Sequence, residues 1–399
     1  MKHRFPDNFI FGTSTSAYQI ETPFEHDWIG VHSRDGYKFS RTTDHEKRTA
    51  EDVRIIHSLA PHYRMSLMWS KLQRSPYAPF DRQTVGEYTR LLRQLNERGV
   101  SIMMVMHHFA NPIWFADRGG WENDENIACW IDYGKQLVRI FGPFVSMWNT
   151  FNEPNLYTSM AYVAGEFPPF KKNILLARRV INNMAEAHNI LFDHIKQTAP
   201  GKPVGISHNS TLFEGENLLG KIPAAVLDWG YMNYAETRFR KTDFFGMSYY
   251  ARIGFDPFPI TFINSPEKLK RSGKPHDDMW EYYPQGLEAC ILRFWNKYKK
   301  PIIITENGFC TQNDAKRVTA IKDYLKAVLD AMKKGADVQG YYHWSSWDNF
   351  EWNLGPTYQF GLYGCDPVTR ERTKKGSAAF YSELACTKEL ELPSDELKR

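Results

Sequence analysis

Eight short runs of apolar and β-branched residues recur along the chain. Each is followed by a longer stretch whose apolar positions fall three and four apart, the pattern of alternating strands and helices. The strand candidates are residues 10–15, 62–69, 101–109, 144–151, 203–210, 243–250, 301–308 and 338–345. Among the helical stretches, TVGEYTRLLRQLNERG sets Val85, Tyr88, Leu91, Leu92 and Leu95 at helical spacing and stops at Gly99. DAKRVTAIKDYLKAVLDAMKKG does the same with Val318, Ile321, Leu325, Val328 and Met332, stopping at Gly335. KGSAAFYSELAC predicts a closing helix, and the end of the chain, about 388–399, reads as a loose polar tail.

Eight strand–helix repeats without a Pro-, Gly- or Ser-rich linker predict a single α/β domain over residues 1–399, a closed (β/α)8 TIM barrel. The connections at about 155–200 and 251–283 exceed a minimal unit, and the spacing predicts extended loops there, over the end of the barrel that carries a site. No GxGxxG follows the first strand and GxxxxGK[ST] is absent, so a nucleotide-binding sheet loses its main support.

Charge and composition narrow the partners. The 50 basic and 46 acidic residues leave a net charge of +4 with no long single-sign block, which argues against nucleic acid and for a small neutral ligand. Aromatic residues make up 15% of the chain, and Trp344, Trp347 and Trp352 cluster near its end; such rings suit sugar faces as well as a core. The N-terminal MKHRFPDNFIFG has no sustained apolar stretch, so neither a secretory leader nor a membrane anchor is expected, and the compartment expected is the cytoplasm. Five cysteines without a CxxC pair read as free thiols.

In a (β/α)8 barrel the reactive side chains project from the C-terminal strand ends. The polar residues found there are Gln19, Arg64, His107, His108, Asn152, Glu153, Asn209, Tyr249, Tyr250, Glu306, Asn307, Trp344, Asp348 and Glu351. Glu153 and Glu306 stand out because each closes an otherwise apolar strand. Either alone could bridge to a neighbour across the mouth; as a pair they fit cleavage of a glycosidic bond. One carboxyl protonates the departing oxygen, and the other traps or stabilises an oxocarbenium-like centre. Their separation is about 5 Å for retention and about 6.5–9.5 Å for inversion. Arg64 and a tyrosine hydroxyl are available to hold one of them ionised. His107 and His108 face opposite sides of one strand, so a shared metal is not expected, and neither is any cofactor.

These segments resemble the family 1 glycoside hydrolases, typified by β-glucosidases, over nearly the whole chain. The resemblance lies in FIFGTSTSAYQIET, DHEKRTAEDVRIIHSLAPHYRMSLMWSKL, TFNEP, ITENG and WSSWDNFEWNLGPTYQFGLYGCD, in that order. It implies a retaining β-glycosidase acting on terminal β-linked glucose, or galactose or fucose, in a small glycoside or oligosaccharide. Glu153 is then the acid/base and Glu306 the nucleophile; Arg64, Asn152 and Tyr250 support them, and Gln19, His108, Trp344, Glu351 and Trp352 bind the sugar. The register of HHFANP selects His108 over His107. Transglycosylation through the same intermediate and a sugar-binding protein without activity are the alternatives. Thr22, Ser248 and Gln359 depart from the family pattern, and segments around 30–44 and 251–275 are short, so the aglycone preference does not carry over. Glu351 with Asn353-Leu354-Gly355 in place of a Ser/Lys phosphate set favours an unphosphorylated sugar.

Overall fold

The computed structural model describes residues 2–38, 41–215, 217–255 and 270–392. Eight parallel strands close into a barrel: β1 (Ile10–Ser14), β2 (His62–Ser66), β3 (Ser101–His107), β4 (Met147–Asn152), β5 (Val204–Asn209), β6 (Phe244–Tyr249), β7 (Ile302–Asn307) and β8 (Val338–Trp344). They pair in sequence order, and β8 returns to β1 with Tyr341 opposite Phe11 and His343 opposite Thr13. This is the (β/α)8 architecture that the alternating pattern predicts.

The strand sequences explain the closure. β3 reads SIMMVMH because both of its faces are covered, one by the barrel interior and one by helices, and a doubly buried parallel strand is apolar throughout. Inside, Met103, Phe244, Ile303 and Tyr342 form a packed plug. Glycines opposite the large rings make room for them: a Cβ on Gly12 would stand 2.4 Å from the Tyr342 ring, and one on Gly205 2.4 Å from Phe244. Outside, the helix Arg82–Glu97, capped by the Asp81 carboxylate, buries Tyr88, Leu91, Leu92 and Leu95. The helix Asp314–Lys333, capped by the Asn313 side chain, buries Ile321, Leu325 and Val328.

Element ends differ from the expectation where local geometry intervenes. The second strand stops at Ser66, and Trp69–Leu72 is already a helical turn, so that Trp69 packs on Tyr133. The fourth begins only at Met147, because Pro143 holds the preceding Gly142–Phe144 as a 3-10 turn. The tail expected to be loose is partly ordered: Glu389–Glu391 pairs antiparallel with Lys2–Arg4. Its Glu-Leu-Glu alternation sends Leu390 into the core while the glutamates meet Lys2 and Arg4. Residues 393–399 lie outside the described residues.

The connection after β4 carries Pro154–Ser159, a π-helical turn Met160–Ala164 and the long helix Ile174–Thr198. In the one after β6, Arg252–Phe255 pairs with Leu212–Gly215, and residues 256–269, like 39–40, lie outside the described residues. The connection after β5 holds a helix Leu218–Leu227, a π-helical turn Asp228–Asn233 and a helix Tyr234–Arg238, none of which the sequence pattern announced. No helix among the described residues is long and apolar enough to cross a membrane.

Candidate active site

The C-terminal strand ends open into a cavity of about 1070 Å³ whose walls include His108, Asn152, Glu153, Tyr250, Glu306, Trp344, Glu351 and Trp352. Gln19 and Arg64 sit directly behind it, in contact with Glu351 and Glu306. The period-two alternation of strands sorts the remaining strand-end residues. His107 turns to the helix layer, bonding Asn111 at 3.1 Å and meeting Trp121 edge-on. Tyr249 donates to the Tyr283 carbonyl, and Asn307 is held between the Tyr249 carbonyl and the Tyr341 hydroxyl. Asp348 accepts from Lys375 at 2.7 Å and from the Gly361 amide. None of these four lines the cavity.

Arg64 is the hub. Fully buried on β2, its guanidinium donates to Glu306 Oε1, to Asn152 Oδ1 at 2.6 Å, to Ser14 at 3.1 Å and to Ser207 at 3.2 Å. The hydroxyl of Tyr250 donates to the other Glu306 oxygen at 3.0 Å. Because Arg64 takes the Asn152 oxygen, the Asn152 amide nitrogen faces His108 and donates to its Nε2 at 3.0 Å. The His108 proton therefore sits on Nδ1, and burial, with the Arg64 charge nearby, holds the ring neutral. One cation thus fixes a carboxylate, an amide and a histidine tautomer together.

Glu153 has a different environment. It caps the helix that starts at Pro154 with a left-handed backbone, φ 43°, while its amide donates to the Ser207 carbonyl. Its side chain accepts from Asn209 Nδ2 at 3.1 Å, and Asn209 is in turn oriented by the hydroxyls of Tyr231 and Thr211, each 2.9 Å from its oxygen. Tyr231 and Thr211 come from the connection after β5 and carried no signal in the sequence pattern. Ser248, one of the three departures from the family pattern, is buried on β6 in register with Glu306.

Protons divide accordingly. Burial pushes the Glu153 carboxyl up to about 8, and the charge of Glu306 adds to the rise. Burial raises Glu306 as well, but the Arg64 charge, the Arg64 hydrogen bond and the Tyr250 hydroxyl oppose it. Glu351 is also pushed up to about 8, by burial and then by Glu306, while Gln19 and Trp344 work against the rise. Glu306 is thus the carboxyl whose contacts favour the ionised form, while Glu153 and Glu351 are held as carboxylic acids near neutral pH.

Gln19 donates from Nε2 to Asn349 Oδ1 at 3.0 Å, to the Phe350 carbonyl at 2.9 Å and to Glu351 at 3.4 Å. Its Oε1 and the His108 Nδ1 are buried without a partner among the described residues, an acceptor and a donor of the kind that sugar hydroxyls satisfy. Trp352 lies against His108 with ring centroids 5.9 Å apart, and Trp344 is 6.0 Å from the same ring on the cavity wall. The arrangement can hold a polyhydroxylated ring between aromatic faces, protonate an oxygen at one carboxyl and attack from another.

The family model described as "Glycosyl hydrolase family 1" matches residues 1–217 and 232–390. The chain is similar to "Beta-glucosidase A" of Thermotoga maritima, at 27% identity over 97% of this chain and 99% of that protein. It is similar, also at 27%, to "Probable inactive beta-glucosidase 14" of Oryza sativa subsp. japonica, over 96% of this chain and 91% of that one. Among solved structures, a "beta-glycosidase from Pyrococcus horikoshii" superposes with a TM-score of 0.86 at 29% identity, covering 100% of this chain and 98% of that one.

Proposed function

The chain belongs to glycosyl hydrolase family 1, and from that premise we propose that it removes terminal β-linked glucose from small glycosides by double displacement, with Glu306 as the nucleophile and Glu153 as the acid/base. The observation that carries the assignment of roles is the asymmetry between the two carboxyls. Glu306 receives the Arg64 guanidinium and the Tyr250 hydroxyl, donors that favour the ionised form an attacking oxygen needs. Glu153 accepts from the neutral Asn209 amide and, among the described residues, is hydrogen-bonded to no charged donor, and it stays protonated near neutral pH, as an acid must.

In the first step Glu306 attacks the anomeric carbon while Glu153 gives its proton to the departing oxygen. Departure of the aglycone leaves a glycosyl ester, and the charge that raised Glu153 is gone, so its affinity for a proton falls at the stage where it must take one from water. Attack of that water then releases the sugar with its β configuration. Gln19, Glu351 and His108 supply hydroxyl partners on one side, and Trp344 and Trp352 supply apolar faces.

A small anion can replace a missing carboxylate, and product stereochemistry reports the face it attacked. With azide and an activated aryl β-glucoside, Glu306→Gly is expected to give the α-glucosyl azide and Glu153→Ala the β-azide. Swapped products would exchange the roles. Binding of glucosides by the unaltered protein without release of any aglycone would replace catalysis by recognition alone.

A further inference from the structure

The reaction cavity is larger than a single sugar needs, and its two ends differ in chemistry. Sites that enclose a drug-sized ligand run to about 300–1000 Å³, and this one reaches about 1070 Å³. The hydroxyl-binding groups collect at the carboxylate end. The outer end is bordered by Val163, Ile174, Leu175, Val226 and Trp229, whose surfaces remain 44%, 73%, 75%, 63% and 64% exposed. Large apolar side chains clustered at the surface around one opening are a costly arrangement for folding alone and mark a place where apolar surface is covered by a ligand.

The helix Leu218–Leu227 makes the point from the other direction. Its small residues face inward: Gly220 rests against the Phe255 carbonyl, where a Cβ would stand 2.1 Å from the oxygen, and Ala224 is buried. Its large residues face out: Leu218, Leu219 and Ile222 are exposed, and Val226, exposed too, borders the cavity with Leu227 and Trp229. An amphipathic helix that only served the core would turn the other way.

Several polar groups at this end bond one another. Asn233 bonds Asp228 at 2.8 Å, Thr237 bonds the Tyr234 carbonyl at 2.9 Å, and Arg178 bonds the Tyr234 hydroxyl at 3.1 Å. The surface left exposed around them is that of large apolar side chains, which a hydrocarbon chain covers without needing a hydroxyl partner.

We propose that the outer end of the cavity is an apolar channel that receives the alkyl or acyl chain of an amphiphilic β-glycoside whose sugar lies at Glu153 and Glu306. The assignment rests on the glycosidase reading above and names the class of aglycone it acts on.

The test uses the intact protein and a series of n-alkyl β-glucosides from methyl to octyl, each kept below its micelle-forming concentration, with an aryl β-glucoside alongside. A fully buried methylene is worth about three- to fourfold, so kcat/KM should climb at least tenfold from propyl to octyl, chiefly through KM. Leu175→Ser/Trp229→Ser should lower the octyl-to-methyl ratio of kcat/KM at least tenfold, and Leu175→Met/Trp229→Phe should restore it. Both pairs change exposed positions, so the fold is retained. Hydrolysis of the aryl and methyl glucosides with no dependence on chain length would overturn the channel and leave the glycosidase reading standing. Failure to hydrolyse any member, the aryl glucoside included, would overturn both.

Discussion

Replacing Arg64 by methionine removes the cation on which the ionised state of Glu306 depends. The side chain is fully buried, and its guanidinium serves Glu306, Asn152, Ser14 and Ser207. Breaking a buried ion pair by deleting one partner costs about 3–5 kcal/mol, because the other charge is left uncompensated in a poorly solvated site. Glu306 can avoid most of that cost by taking a proton. The sign follows from linkage: losing a positive neighbour raises the carboxyl's proton affinity, so the acid limb of the kcat/KM profile moves to higher pH. If the full cost falls on the ionised form, activity near neutral pH drops by about 10²- to 10⁴-fold. The acid limb then closes on the alkaline limb set by Glu153 and narrows the bell. The assay is a pH profile of kcat/KM on an activated aryl β-glucoside, with Arg64→Lys as the variant that keeps the charge and loses the fork. An acid limb at the same pH in Arg64→Met as in the parent would refute the claim that Arg64 sets the protonation of Glu306, however large the loss of rate.

Two more outcomes follow from the same geometry. With Glu153 raised to about 8, kcat/KM in the free enzyme should fall as pH rises through about 8. Asn209→Ala, which deletes a donor to the charged form, should carry that limb to still higher pH; a shift to lower pH would contradict the contact. Away from the cavity, Arg372 grips both oxygens of Asp52 at 2.9 Å, beside His45 and over Trp347. Arg372→Met should therefore cost about 3–5 kcal/mol in urea unfolding, and a loss below about 1 kcal/mol would show the pair to be dispensable.

The strands of the barrel are legible because a doubly buried parallel strand has almost no choice but to be apolar, and because β3, β7 and β8 each run into polar residues where they leave the barrel. A strand end also presents both faces, so polarity alone gives His107 and His108, Tyr249 and Tyr250, Glu306 and Asn307 equal standing; only the pleat separates the member that lines the cavity from the one that ties the barrel to its helices. The partners of Glu153 are partly hidden for a different reason. Asn209 closes a strand and is visible, but Tyr231 lies in a π-helical turn, in a segment whose helix contains Pro223 and turns its large residues outward. A reading that looks for an apolar face directed at the core finds the wrong face there. The C-terminal strand escapes notice because three alternating residues, Glu389 to Glu391, are too short a pattern to register without the partner strand at residues 2–4.

The charge balance of the cavity ties these parts together. Glu153, Glu306 and Glu351 are all buried around one space, and among the described residues hydrogen-bonded to them only Arg64 carries a formal charge. One buried cation favours one buried anion, and contact decides which: the guanidinium hydrogen-bonds Glu306 and not the other two. This single preference leaves Glu153 holding a proton to give, and leaves Glu351 a neutral group able to donate as well as accept toward a sugar hydroxyl. It also disposes the carboxylate end toward uncharged sugars, since a phosphorylated sugar would bring about −1.5 to −2 charges beside three carboxyls whose one hydrogen-bonded cation among the described residues is already committed to Glu306. The outer wall pairs exposed apolar side chains with Arg178 and Arg238, both packed against Tyr234, so charge is kept apart from the carboxylates and the proposed hydrocarbon aglycone meets the apolar rim of Leu175, Val226 and Trp229.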